Sequence, residues 1–216
     1  MDTVDHSRAL HEPIVVYGTA KSRTFRAIWA LEEIDVPWKH LDVGFDGSEN
    51  SVSATWFGKL NPNRRVPVIV DGGFHLWESF AITLYLAKRY SRKLYPQHIE
   101  LEAEVWKWTL WASVELEAPL FSYVKARFIN PSKQINAADS ESLFKKITCL
   151  MSVLDKALQK TDFLLGKEFS IADLNVSSVF YSAYFYKLSI EFPILQNWLV
   201  SCLERPAALR ARALRE

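Results

Sequence analysis

Ile14-Val15-Val16-Tyr17 is an apolar run closed off by Pro13 and Gly18, and it predicts a short strand. Downstream, Ala27, Ile28, Leu31 and Ile34 recur at helical spacing, so an amphipathic helix follows Thr19–Thr24, with Ser22 or Thr24 as its N-cap. Trp38 to Val43 alternates weakly and suits a second strand. Gly44–Asn50 reads as loop, and Ser51–Lys59 as a short irregular helix that stops at Asn61-Pro62. Val66-Pro67-Val68-Ile69-Val70 is a β-branched run whose proline lacks a ladder donor, which puts the start of that strand at a bend. Asp71-Gly72-Gly73 supplies the positive φ of a tight turn into a strand Phe74–Leu76. A helix from Glu78 or Ser79 to about Tyr90 would bury Ile82, Tyr85 and Leu86. The order β-α-β-α-β-β-α, with a parallel first crossover and an antiparallel final hairpin, predicts a mixed sheet.

The pattern changes near Tyr95-Pro96. Six of the seven glycines precede that point, and from Leu101 onward the apolar period is helical, with breaks at Pro119, Asn130-Pro131, Gly166 and Pro193. Ser170 and Asp173 form a capping-box variant at the start of the most apolar helix. Its uncharged stretch Leu174–Tyr186 is shorter than the roughly 20 residues a membrane span needs, so it reads as a buried helix with Tyr181, Tyr184 and Phe185 in the core. Arg205-Pro206 and the arginines at 210, 212 and 215 read as an exposed tail. The predicted fold class is α/β plus all-α: an N-terminal domain over 14–93, a linker over 94–100 and an all-helical domain over 101–216, after an extension of residues 1–13.

Composition narrows the partners. The 216 residues are 49% hydrophobic and 24% charged, and 26 basic against 25 acidic side chains give no electrostatic case for nucleic acid or an anionic membrane. Met1–Pro13 lacks the apolar core of a secretory signal, so Cys149 and Cys202 are expected as reduced thiols in a cytoplasm, a structural disulfide being the alternative. No G-x-G-x-x-G, Gly-Lys-Ser phosphate loop or G-x-S-x-G motif occurs. The histidines at 6, 11, 40, 75 and 98 never fall at i, i+4, which removes support for a helical zinc site. The first domain has no cysteine, so disulfide exchange there is excluded.

Two features point to a ligand. Lys21, Arg23 and Arg26 crowd the positive end of the first helix, at a cost of a few tenths of a kcal/mol each; this fits an anion bound at the helix start or a solvated basic face. A cis bond at Val66-Pro67 would turn the Val66 amide and carbonyl outward, where an extended peptide could add as a strand; an edge-strand proline without a ligand has the same signature.

Taken together, the strand-loop leading to Ser22-Arg23 and Trp29-Ala30-Leu31-Glu32-Glu33, then Asn61-Pro62-x-x-Arg65-Val66-Pro67-Val68-Ile69, then Glu78-Ser79-x-Ala81-Ile82-x-x-Tyr85-Leu86, then Phe169-Ser170-Ile171-Ala172-Asp173, resemble the cytosolic glutathione transferases. The Ser-Arg pair is similar to that of serine-type, bacterial-like members. The resemblance implies a thioredoxin-like first domain, an all-helical second domain, glutathione as co-substrate, no metal or other cofactor, a cytoplasmic homodimer and a role in detoxification.

Carried onto this chain, it makes Ser22 the hydroxyl that donates to the glutathione sulfur, with Tyr17, Thr19 and Thr24 as rivals and Arg23 among the cations that favour thiolate. It sets the Val66 backbone on the cysteinyl part, Pro67 as cis, Glu78 and Ser79 on the γ-glutamyl end, and Arg65 facing the glycyl carboxylate. Arg64 stands where the family usually has glycine and is expected to crowd or recharge the loop. Of Trp106, Trp108, Trp111, Phe121 and Tyr123, the preferred walls of a second-substrate pocket are Trp111 and Tyr123. The implied activity is conjugation of glutathione to a hydrophobic electrophile. The alternatives are a glutathione-dependent isomerase, dehalogenase or peroxidase, or a non-catalytic binding or scaffold protein of the same fold.

Overall fold

A computed structural model describes residues 12–129 and 136–215. The chain forms two compact units: one comprises the residues up to Arg92 together with those from Pro206, and the other is Lys93–Arg205.

In the first unit β1 (Ile14–Tyr17), β2 (Trp38–Leu41), β3 (Val68–Asp71) and β4 (Phe74–Trp77) form one sheet in the order β2-β1-β3-β4. β1 pairs parallel with β2 and antiparallel with β3, and β3 pairs antiparallel with β4, so the mixed sheet is as expected. Three helices accompany it: α1 (Thr24–Ile34), α2 (Thr55–Leu60) and α3 (Ser79–Tyr90). Strand pleating sends successive side chains to opposite faces. Val16 is fully buried, while Tyr17 turns the other way onto a cluster of Val43, Phe57 and Val68. α1 buries Ala27, Ile28 and Leu31 completely, the face its periodicity predicts.

β3 begins at Val68, two residues after the start of the apolar run, because the cis Val66–Pro67 bond makes the bend there. Tyr85 departs from expectation: it is only half-buried, and its hydroxyl donates to Asp71 Oδ2 at 2.7 Å. Tyr90 donates to the same oxygen at 2.6 Å, so this turn carboxylate is a buried hub rather than a solvated hairpin residue.

The second unit contains α4 (Ile99–Trp111), α5 (Glu117–Val124), α6 (Ala137–Ala157), α7 (Ile171–Phe185) and α8 (Pro193–Leu203). Between α4 and α5 the backbone widens over Ala112–Leu116, where the Glu117 amide donates back to the Ala112 carbonyl. Pro119 lacks an N–H and its ring clashes with the carbonyl four residues earlier, so a wider turn just before it relieves the conflict. A second widened turn spans Lys125–Ile129. The break expected at Asn130-Pro131 lies outside the described residues, as does most of the 1–13 extension.

α7 is the buried helix of this unit, tied to α4 by an Asn175 amide that donates to Thr109 Oγ1 at 3.0 Å. Its start is held by Asp173, whose carboxylate accepts from the Ser170 amide (3.0 Å), the Ser170 hydroxyl (2.7 Å), the Leu164 amide (2.8 Å) and the Trp198 indole (2.9 Å). Burial pushes the Asp173 carboxyl above its usual range, and these donors pull against that. Tyr181 is buried as expected, but Phe185 is 60% exposed and Tyr184 half-exposed, because both lie where the helix leaves the core.

The arginine-rich end is not an exposed tail. α9 (Pro206–Ala213) buries Ala207, Ala208 and Ala211 and packs on α1 in the first unit. Arg205 stacks over Phe169 at 3.9 Å in the second. Cys149 is exposed and Cys202 buried, and no disulfide joins them.

Candidate functional site

Gly18 is the point where the loops of the first unit converge. Its φ of +135° is one that side-chain-bearing residues rarely adopt, and a Cβ there would collide with Thr24 Oγ1 and lie 2.6 Å from Val66 Cβ. The loop before α1 and the loop before β3 therefore meet at Gly18 with no room for a side chain. His40 of β2 adds a third tie, its Nε2 lying 2.7 Å from the Gly18 carbonyl oxygen.

Ser22 is half-buried at the mouth of α1. Its hydroxyl donates to the Thr19 carbonyl at 2.7 Å, and its Oγ accepts from the Thr24 amide at 3.1 Å and lies 2.9 Å from Thr24 Oγ1. The N-cap position itself falls on Arg23, so neither predicted cap residue occupies it; Ser22 serves the helix start by taking the Thr24 amide from one residue further out. Among the rival hydroxyls, Thr24 is fully buried beneath Ser22, Thr19 is half-buried, and Tyr17 points to the Phe57 cluster, 6.0 Å from the Trp56 ring. Arg23 is exposed on the same turn.

The loop Asn61–Val66 is built around the buried Asn61, whose amide donates to the Arg65 carbonyl at 2.7 Å and whose Oδ1 accepts from the Asn63 amide at 2.9 Å. Arg64 adopts a left-handed φ of 51°, the conformation that suits glycine at this position. Its guanidinium turns away from the loop and donates to the carbonyls of Val52, Ser53 and Ala54 at 3.2, 2.7 and 3.0 Å. The expected crowding is thus resolved: the side chain braces the start of α2. Arg65 stays exposed beside it. Pro67 is buried and cis, and among the described residues neither the amide nor the carbonyl of Val66 has a hydrogen-bond partner.

At the start of α3, Glu78 is exposed with a φ of 73°, and Ser79 is 5% exposed. No side chain caps this terminus and its first turn carries no acid, so its backbone donors are open to an external anion. Buried Arg26 donates from Nη1 to Ser79 Oγ at 3.1 Å and lies 4.3 Å from the centre of the Phe80 ring. Sequence reasoning had Arg26 as one of three misplaced surface cations. A charge at 26 with a hydroxyl 53 residues on gives no local signal, so only the fold reveals their pairing.

The structure thus brings Thr24, which Ser22 Oγ contacts, and Val66 together at Gly18, and α1 reaches Ser79 through Arg26. In the second unit, Trp111 is half-buried and packs edge-on against Trp108, with ring centres 5.5 Å apart. Tyr123 is half-buried between Phe128 and Phe144, at 6.4 and 5.4 Å. Trp106 and Phe121 are exposed and Trp108 buried. The Trp108 indole N–H is a buried donor with no partner among the described residues. Among the described residues, no group of three or more His, Cys, Asp or Glu side chains is arranged to hold a metal.

A mixed thioredoxin-like sheet with a cis-proline loop, followed by a helical domain, is the architecture that the resemblance to glutathione transferases implies. Comparison with known proteins agrees. Residues 12–88 match the glutathione S-transferase N-terminal domain, and residues 112–206 match the glutathione S-transferase C-terminal domain. The chain is 29% identical over 199 residues to glutathione S-transferase GstB of Escherichia coli, an alignment covering 90% of this chain and 95% of that one. It is 32% identical over 166 residues to mouse glutathione S-transferase theta-1, covering 74% of this chain and 68% of the relative. Among solved structures, the theta class enzyme of Xanthomonas axonopodis pv. citri, which has glutathione bound, superposes with a TM-score of 0.79 at 27% identity, covering 93% of this chain and 97% of that one. The chain belongs to the glutathione S-transferase family, and it is a glutathione transferase.

Proposed function

We propose that this enzyme binds glutathione along the cis-proline loop, holds its sulfur as a thiolate against Ser22, and conjugates it to a hydrophobic electrophile such as an activated halide, epoxide or alkene. The observation that carries the reading is the Ser22 hydroxyl at the α1 mouth, hydrogen-bonded by Thr24, whose own Oγ1 faces Val66 across Gly18.

The free thiol has a pKa of about 8.5, so activation means favouring the charged form. Rotation about the Ser22 Cβ–Oγ bond redirects its proton from the Thr19 carbonyl to the sulfur. Donation from the Thr24 amide into Ser22 Oγ polarises the hydroxyl and makes it a better donor. Lys21 and Arg23 add positive charge on the same turn. The free amide and carbonyl of Val66 suit the cysteinyl backbone in the manner of strand addition. Ser79, with Arg26 donating into its oxygen, keeps its own proton for the γ-glutamyl carboxylate at the open terminus of α3. Glu78 is placed for the γ-glutamyl amino group and Arg65 for the glycyl carboxylate. The thiolate then attacks the electrophile. We assign that second substrate to the neighbourhood of Trp111 and Tyr123, on the strength of their half-exposed aromatic faces. The reaction so drawn uses glutathione as co-substrate and no metal, and serves detoxification in the cytoplasm.

Replacing Ser22 with alanine removes a hydrogen bond to a charged group, worth about 1.5–3 kcal/mol. The expected loss in kcat/KM toward a chlorinated nitroaromatic is therefore roughly 10- to 100-fold, with glutathione binding retained. Undiminished turnover would remove Ser22 from the mechanism. The active species is a homodimer, as the family resemblance suggests, and should sediment at twice the 24.9 kDa chain mass; a stable, fully active monomer would contradict this.

A further inference from the structure

The turn that carries Ser22 is held by the last helix described. α9 lies antiparallel along α1, its buried Ala207, Ala208 and Ala211 allowing close approach. At one end Arg210 pairs with the Glu32 carboxylate and donates to the Glu32 carbonyl at 3.2 Å. At the other end Arg215 is half-buried and its Nη1 donates to the carbonyls of both Ala20 and Ser22, at 3.4 Å each. Its guanidinium carbon lies 5.6 Å from the centre of the Phe25 ring, which is itself buried. Arg210 of α9 and Arg215, two residues beyond its end, thus reach the last turn of α1 and the turn before its start.

We propose that Arg215 is a positioning residue for the Ser22 hydroxyl. By holding the Ala20 and Ser22 carbonyls it fixes the turn in which Ser22 Oγ sits, and it brings a cation to the loop beside which the sulfur is ionised. The inference rests on the reading of Ser22 as the thiolate's partner. Both bonds come from the one Nη1 of a planar guanidinium set over the Phe25 ring, a placement that a lysine does not reproduce although it keeps the charge. The other charged groups on the elements around this turn are Lys21 and Arg23 on the turn, Arg26 on α1, and Arg65 on the Val66 loop, with Arg212 on α9. His40 on β2 sits against the Gly18 carbonyl, and Glu32 and Glu33 lie at the far end of α1. Arg215 reaches the Ser22 backbone from the segment that follows α9.

The test uses the full chain and the variants Arg215→Met, Arg215→Lys, Arg210→Met and Ser22→Ala. It reads the ultraviolet absorbance of the bound thiolate against pH, together with kcat and KM for glutathione. In Arg215→Met the ionisation midpoint should rise by about half a pH unit. The value of kcat at neutral pH should fall roughly 3-fold, a change of under one kcal/mol in barrier, while KM for glutathione stays within about 2-fold. Arg215→Lys should recover part of the midpoint shift, and Arg210→Met, which loosens α9 without touching the turn, should leave the midpoint where it was. Two results overturn the proposal while leaving Ser22 in place: an Arg215→Met midpoint equal to the parent's when Ser22→Ala abolishes the thiolate, or equal shifts in the 210 and 215 variants, which would mean that α9 merely supports the fold. A thiolate that persists unchanged in Ser22→Ala would remove the reading of Ser22 and this proposal with it.

Discussion

A side chain at position 18 would separate the two loops that make the site. The backbone there is left-handed, and a methyl group would meet Thr24 on one side and Val66 on the other. Gly18→Ala therefore combines backbone strain with a steric clash, and is expected to cost about 2–4 kcal/mol in urea unfolding and to weaken glutathione binding. A variant of parental stability and affinity would show that the loops can part freely.

Single residues were also where the sequence was least legible. The cis bond at Val66-Pro67 and the Ser22 contact with the start of α1 were legible because a β-branched run with proline and a hydroxyl before a helix are local signals, whereas the ligand roles of Ser22, Val66, Pro67 and Ser79 came from the family resemblance. Arg26, Asp71 and Arg215 could not be marked, since each acquires its role from a partner far along the chain: Ser79, Tyr85 with Tyr90, and the Ala20–Ser22 turn. Arg64 shows the intermediate case. Its conflict with a glycine-like position was visible in the sequence, but the resolution, a guanidinium carried to three carbonyls of another loop, was not.

At the scale of elements, apolar patterning predicted β1, α1, α3 and α7 within a few residues because these elements carry the core, and the Asp71-Gly72 turn predicted β4, which is itself largely exposed. It misjudged the ends. Phe185 continues the apolar run of α7 past the point where the core stops, and α9 hides alanines, whose small faces carry little hydrophobic signal among arginines. The beginning of α7 was legible because capping is local, although the Trp198 and Leu164 donors on Asp173 come from elsewhere. Asp173→Ala leaves a buried helix terminus and an indole N–H without their acceptor, and should cost about 3–5 kcal/mol. Urea unfolding followed by far-ultraviolet circular dichroism measures this; a loss below about 1 kcal/mol would mark the network as no better than a surface pair.

For the whole molecule, the proposed function gives each of the two units its own substrate. In the first, the loop whose Val66 backbone groups have no partner among the described residues, the hydroxyl at the α1 mouth and the start of α3 without a side-chain cap are the surface we propose for an extended anionic tripeptide. In the second, the half-buried Trp111 and Tyr123 are the side chains we propose for the apolar electrophile. Near-neutral net charge, 26 basic against 25 acidic side chains, means that binding depends on these local groups rather than on a long-range field. The most direct measurement is the ultraviolet difference spectrum of glutathione bound at neutral pH. The account predicts a thiolate band with the parent enzyme that is lost in Ser22→Ala although the tripeptide still binds; saturating binding to the parent with no thiolate band would contradict it.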